Sequence, residues 1–64
     1  MDEIATFVRN KRKEAGLTQE TLALYAGVSA KFVVELEAGK KTLRVDKIVA
    51  VLNVFDCVLD VRHR

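Results

Sequence analysis

The sequence contains no proline, no tryptophan, three glycines and one cysteine among its 64 residues. The single cysteine, Cys57, excludes an internal disulfide, and the lack of cysteine and histidine clusters excludes a structural zinc site of the usual ligand count. No apolar run is long enough to span a membrane, and the acids Asp2 and Glu3 stand where a signal peptide would carry basic residues. We therefore expect no membrane segment and no export signal, and a protein that works in a reducing cytoplasm.

The chain is short enough to form only one small domain. A domain of this size buries only about 60% of the surface that its unfolded chain exposes, so its core is thin. A second subunit would add buried surface and stabilise it. Length alone therefore favours an oligomer.

Basic residues are concentrated in two segments, although the formal net charge is only +2. Two basic patches suggest a polyanionic partner. Ordinary solvated faces produce the same pattern, and the charges alone do not separate the two interpretations. The first segment holds Arg9, Lys11, Arg12 and Lys13, and the second holds Lys40, Lys41, Arg44 and Lys47.

Apolar residues at helical spacing predict a first helix over residues 2–15, with Ile4, Phe7 and Val8 on one side. Gly16 predicts its end, because glycine adopts the left-handed conformation of a helix C-terminus at low cost. Ala15 is assigned to the same apolar side.

Two short helices follow, over residues 19–26 and 30–38. Thr18 and Ser29 are suited to cap their N-termini, because each hydroxyl can accept from a free amide of the first turn. Gly27 ends the first of the two helices and permits a sharp turn. Two short helices joined by a Gly-Val-Ser turn form the sequence pattern of a helix-turn-helix.

A fourth helix is predicted from apolar residues that recur at spacings of three and four. Its many β-branched residues make it a weak helix by propensity, so packing must hold it. The residues that define it are Val45, Ile48, Val49, Leu52 and Phe55.

The last segment changes to the alternating pattern of a β-strand. No other segment offers a partner strand, so we expect it to pair with the same strand of a second copy in a two-fold dimer; a frayed tail is the alternative. Pairing centred on Leu59 sets Asp56 opposite Arg62. The chain thus divides into a helical domain, residues 1–55, and a dimerising strand and tail, residues 56–64. The predicted dimer strand comprises Cys57, Val58, Leu59, Asp60, Val61 and Arg62.

The run LTQETLALYAGVSAKFVVELEAGK, residues 17–40, resembles the helix-turn-helix of Cro/cI-type (XRE-family) regulators of bacteria and phages. Its continuation, VDKIVAVLNVFDCVLDVR, is similar to HipB-like antitoxins, whose fourth helix leads into a short strand shared across the dimer. The resemblance implies a compact all-α domain of four helices with a C-terminal strand that pairs across a homodimer. The motifs that carry it are Thr18-Gln19-Glu20, Ala23, Gly27-Val28-Ser29, Val33, Leu36-Glu37 and Gly39-Lys40.

The resemblance also implies that the third helix enters the major groove of DNA by its N-terminal end. Lys31 can donate to guanine, and Glu35 can accept from cytosine. Val34 either touches a thymine methyl or belongs to a protein contact, whereas Phe32 is expected to pack inside the protein. The predicted base-contacting residues are Ser29, Ala30, Lys31, Val34 and Glu35.

The second helix is expected to lie across the phosphate backbone, where its free N-terminal amides and the amide of Gln19 suit an anion. Arg12 lies on the apolar side of the first helix, so its charge needs a nearby acid, and Glu37 is the candidate. The resemblance implies the same structural ion pair. The predicted phosphate contacts are Thr18, Gln19, Arg9, Lys13, Lys40, Lys41 and Arg44, with Lys47 as a further candidate.

These observations predict a sequence-specific repressor that binds double-stranded DNA as a homodimer on a pseudo-palindromic operator, in the bacterial cytoplasm and on the nucleoid. The HipB resemblance implies an antitoxin that also binds a HipA-like kinase toxin. A protein-interaction module that has lost DNA binding is the alternative. We expect no enzyme, cofactor, metal or small-molecule substrate, because His63 lies in a charged tail and Cys57 has no activating base.

Overall fold

The computed structural model of the chain describes the backbone of residues 3–63 and the side chains of residues 3–55. Four helices make up the described chain, and the residues between them form turns and loops. Three of the helices begin and end within two residues of their predicted bounds. The helices are α1 (Glu3–Glu14), α2 (Gln19–Ala26), α3 (Ala30–Glu37) and α4 (Val45–His63).

The two turns that flank α2 have the predicted local chemistry. Gly16 (φ 72°) and Gly27 (φ 73°) both adopt the left-handed conformation. The Thr18 hydroxyl accepts from the Thr21 amide at 3.0 Å, and the Ser29 hydroxyl accepts from the Phe32 amide at 3.0 Å. The starts of α2 and α3 are therefore fixed by their own caps.

An alanine at position 27 should lower the free energy of unfolding by about 1 kcal/mol. No atom lies within 4 Å of the position that the added Cβ would take, so the cost comes from the left-handed backbone and not from a clash. Chemical denaturation of Gly27→Ala measures this cost. Gly27→Asn is the control and should lose less, because asparagine tolerates this conformation better than alanine does. An alanine variant as stable as the asparagine variant would contradict the prediction.

A single hydrophobic core joins the four helices. Helix α2 packs against α3 and α4, while α1 packs mainly against α3. Phe32 lies in this core, which agrees with the expectation that it packs inside the protein. The buried core residues are Val8, Leu22, Ala23, Phe32, Val33, Leu36, Val51 and Phe55.

The buried faces of α1 and α4 are displaced from the predicted stripes. On α1, Ala5 and Val8 are buried, whereas Ile4 and Phe7 remain exposed at the rim, and Ala15 is exposed. On α4 the pattern missed Val51, which is fully buried. In both helices apolar residues cover more of the circumference than the core can contact, so periodicity alone does not locate the buried side.

On α4 the same displacement leaves Val45 and Val49 exposed, although both belong to the predicted apolar stripe. Ile48 and Leu52 pack at the edge of the core, beside the buried Phe55. A strip of apolar surface therefore remains on α4 outside the core.

The C-terminal segment is helical where the sequence pattern predicts a strand. Helix α4 continues to His63, so the backbone of residues 57–62, Cys57 to Arg62, forms its last turns. In a single chain a helix pairs its amides and carbonyls within the segment, whereas a lone strand would leave them unpaired. The side chains of the predicted dimer strand, and with them the pairing of Asp56 with Arg62, lie outside the described residues.

The described part of the chain has no helix that is both long and apolar enough to cross a membrane. Residues 3–55 also hold no group of three or more side chains that could ligate a metal ion.

Candidate nucleic-acid interface

Helix α3 presents one exposed and one buried face. Val33 and Leu36 are buried in the core, whereas Lys31 is exposed and Val34 has 46% of its surface exposed. Lys31 and Val34 are three residues apart and so lie on the same side of the helix. The predicted base-contacting side of α3 is therefore accessible at these two positions.

The other three predicted base contacts are engaged within the protein. Ala30 is half-buried and packs against the core, and the Ser29 hydroxyl caps α3. The Glu35 carboxylate accepts from Lys40 Nζ at 3.4 Å across the end of the helix. Ser29 can still donate its O–H to a base, and Glu35 can still accept at Oε1, so these bonds do not prevent base contacts.

A basic groove runs between α1 and the loop that follows α3. Arg9, Lys13 and Lys41 line it, together with Asn10 and the two acids Glu3 and Glu37. Within residues 3–55 none of these three cations forms an ion pair with an acid. The structure thus brings together three of the predicted phosphate contacts from two distant segments of the chain.

The remaining predicted cations have different surroundings. Lys40 is paired with Glu35, and Arg44 donates to both carboxylate oxygens of Asp46 at 3.2 and 3.0 Å. Lys47 lines neither the basic groove nor a second groove, which lies at the start of α2. The charges of Lys40 and Arg44 are therefore partly neutralised, and the charge of Lys47 lies away from the basic groove.

A second groove lies at the start of α2. Thr18 and Gln19 line it with Val34 of α3, and Arg9 lines both this groove and the basic one. The Thr18 hydroxyl donates to Thr21 Oγ1 at 2.9 Å and also caps α2, so an anion here would meet backbone amides and not that hydroxyl. Arg9 links the two grooves into one surface, which we call the basic surface.

The structure brings Arg12 and Glu37 together in the lining of the groove at the start of α2. Arg12 Nε donates to Glu37 Oε2 at 2.6 Å, and its Nη2 donates to Oε1 at 3.0 Å, which forms a bidentate pair. Arg12 Nη1 also donates to the carbonyl of Leu17 at 2.9 Å. The exposed fractions of the two side chains are only 12% and 6%, so the pair is well shielded from water.

The hydrogen bond to the Glu37 carboxylate raises the pKa of the Arg12 guanidinium above its ordinary value, and outweighs the opposite effect of burial. Arg12 therefore stays charged wherever the protein is folded. Because Arg12 is on α1 and Glu37 ends α3, the pair fixes these two helices relative to each other.

Sequence reasoning missed a third member of this network. Gln19 Nε2 donates to Glu37 Oε1 at 3.2 Å, so the predicted phosphate-contacting amide is attached to the structural ion pair. Eighteen residues separate the two in sequence, and only the packing of α2 against α3 places them side by side. No local pattern could have revealed this contact.

Comparison with known proteins gives two matches. A helix-turn-helix family model matches residues 8–61. Over 59 residues the chain is 44% identical to y4mF of Sinorhizobium fredii, described as an uncharacterized HTH-type transcriptional regulator. That match covers 92% of this chain and 78% of the relative.

Proposed function

Because the chain belongs to the XRE-type helix-turn-helix family, it is a DNA-binding transcriptional regulator, and we propose that it acts as a homodimeric repressor on a pseudo-palindromic operator. The observation that carries this proposal is the basic surface. It joins the exposed side of α3 at Val34, through Gln19 and Arg9, to the three cations of the basic groove.

The geometry suits α3 for the major groove and α2 for the phosphate backbone beside it. Lys31 can donate to guanine O6 or N7, and Val34 can contact a thymine methyl one turn along the same side of α3. The backbone amides at the start of α2 and the carboxamide of Gln19 can donate to a DNA phosphate that lies on the basic surface. Bound in this way, a dimer would block a promoter by occupying it.

A mobility-shift assay with genomic fragments at low salt tests DNA binding. The wild type should retain a subset of fragments, and Lys31→Glu combined with Gln19→Ala should abolish the retention. Lys11→Glu is the control for the charge reversal, since Lys11 is directed elsewhere, 5.8 Å from the Phe7 ring and 3.9 Å from Glu14.

The alternative, an interaction module without DNA binding, is favoured by the exposed apolar side chain of Val34. It predicts that the wild type retains no fragment, or that the double variant retains as much DNA as the wild type. Val34 lies beside Gln19 in the same groove, which favours the DNA interpretation of this side chain.

We base the homodimer on apolar side chains of α1 and α4 that are exposed or only partly buried. Val45, Val49 and Leu52 follow one side of α4 at helical spacing, and Leu52 shares a shallow groove with Phe7 of α1. Phe7 is 43% exposed and Val49 45%. We call these four residues the α1–α4 face, and propose that a second copy of the chain covers it.

Sedimentation of the free protein tests this dimer. Val49→Asp should sediment as a monomer, because it places a charge in the centre of the α1–α4 face. Leu24→Asp is the matched control and should remain dimeric, since Leu24 is 80% exposed on α2, outside that face. A wild-type protein that is monomeric at tens of micromolar, or a dimer that tolerates Val49→Asp, would contradict the proposal.

We further propose that the regulator is the antitoxin of a toxin–antitoxin operon and binds a HipA-like kinase. Support comes from the similarity of residues 45–62 to HipB-like antitoxins. Co-expression with a kinase encoded next to this gene should yield a co-purifying complex and relieve the toxicity of that kinase. A genome in which no kinase gene lies next to this gene would count against the antitoxin role. The proposal of DNA binding would not be affected.

A further inference from the structure

The side-chain amide of Gln19 is hydrogen-bonded to the carboxylate of Glu37. Gln19 is the first residue of α2, and its Nε2 donates to Glu37 Oε1 at 3.2 Å. The same oxygen accepts from Arg12 Nη2, and the other carboxylate oxygen accepts from Arg12 Nε. Two side chains, one from α1 and one from α2, thus share the carboxylate of Glu37 on α3.

An ionised carboxylate can only accept hydrogen bonds, whereas a carboxamide both donates and accepts. Glu37 therefore selects the nitrogen end of the Gln19 amide. Its repulsion of the carbonyl oxygen disfavours the flipped orientation. The nitrogen keeps a second N–H, which is the group that a DNA phosphate needs.

The ion pair makes this arrangement compatible with an approaching polyanion. A lone carboxylate near a phosphate would repel it, but the guanidinium of Arg12 compensates the charge of Glu37 through two hydrogen bonds. Glu37 can therefore hold Gln19 without adding net negative charge beside the basic surface.

We propose that Glu37 is a positioning residue for DNA binding: it orients the Gln19 carboxamide so that the second N–H of Nε2 is presented to a backbone phosphate. This role rests on the proposed function and adds to the structural role of the Arg12–Glu37 pair. Its benefit is preorganisation, because a long polar side chain that is already fixed loses less conformational entropy on binding.

A double-mutant cycle separates this role from a structural one. The first change is Gln19→Met, which keeps the length of the side chain and removes the amide. The second replaces both partners of the ion pair, Arg12→Met with Glu37→Leu, which leaves the net charge unchanged and offers apolar packing in place of buried charges. The probe is a fluorescein-labelled duplex of mixed sequence at low salt, since phosphate contacts carry no sequence information.

In the protein with the native ion pair, Gln19→Met should weaken DNA binding about ten-fold, the loss expected for a preorganised hydrogen bond repeated in each subunit. In the apolar-pair background the same change should cost less than about two-fold. Equal losses in the two backgrounds, or no loss with the native pair, would overturn the proposal. A wild type that fails to bind the duplex would instead refute the proposed function itself.

A second measurement keeps the test independent of how well the apolar pair folds. Gln19 is the one glutamine of the chain, so selective ¹⁵N labelling of glutamine gives a single side-chain amide signal. The amide proton that is bonded to Glu37 should be protected from exchange in the free wild type, and the signal should shift when the duplex is added. A freely exchanging amide in the free protein, or one that does not respond to DNA, would overturn the proposal.

Discussion

Replacing Glu37 with alanine should lower the free energy of unfolding by about 3 to 5 kcal/mol. The change removes the acceptor of two Arg12 hydrogen bonds and one from Gln19. Arg12 would keep its charge in a site where only 12% of its side chain meets water, and within the described residues its remaining hydrogen bond goes to the carbonyl of Leu17. An uncompensated charge in such a site is far more costly than a lost surface pair.

Thermal unfolding measures this loss, which for a domain of this size corresponds to a fall in Tm of more than about 10 °C. Glu35→Ala is the matched control, because it removes an acid of the same helix, two residues earlier, that pairs with Lys40 at the surface. That change should cost less than about 1 kcal/mol. A Glu37→Ala variant that melts at the wild-type temperature would show that the Arg12–Glu37 pair does not stabilise the fold.

The features predicted correctly from sequence are those that depend on a few neighbouring residues. A hydroxyl at Thr18 or Ser29 needs only the next turn of its own helix to form a cap, and Gly27 needs only its own backbone conformation. These local signals located α2 and α3 and the turn between them.

The features that were missed depend on how helices pack. Val51 is buried and Val49 exposed because α2 meets one side of α4, a choice that the apolar pattern of α4 leaves open. The bond between Gln19 and Glu37 likewise requires the start of α2 to pack against the end of α3, two positions that lie 18 residues apart in sequence. The C-terminal segment carries an alternating pattern, yet its backbone in a single chain satisfies itself as a helix.

Charge pairing distinguishes among the predicted phosphate contacts, which the sequence alone does not. Sequence reasoning named Lys40, Lys41 and Arg44 as phosphate contacts without distinguishing between them. The structure separates Lys41, which lines the basic groove, from Lys40 and Arg44, which are paired with acids. A signal for one of these pairs was present, since Asp46 follows Arg44 by two residues.

DNA binding should weaken about a thousand-fold between 50 and 200 mM monovalent salt, with a log–log slope near −5. The basic groove supplies three cations per chain, Arg9, Lys13 and Lys41, and a dimer doubles them. Each neutralised phosphate releases about 0.9 of a counterion, which gives this slope for six contacts. Fluorescence anisotropy with a labelled duplex at several salt concentrations measures it.

The same titration distinguishes the cations of the basic groove from the paired ones. Lys41→Gln should reduce the magnitude of the slope by about two, because one contact is lost in each subunit. Arg44→Gln removes an equal charge, but Arg44 already donates to Asp46 through two hydrogen bonds, so the slope should change by less than about one. A slope near zero for the wild type would exclude phosphate neutralisation as the basis of binding, and equal changes for both variants would show that the Arg44–Asp46 pair opens on DNA.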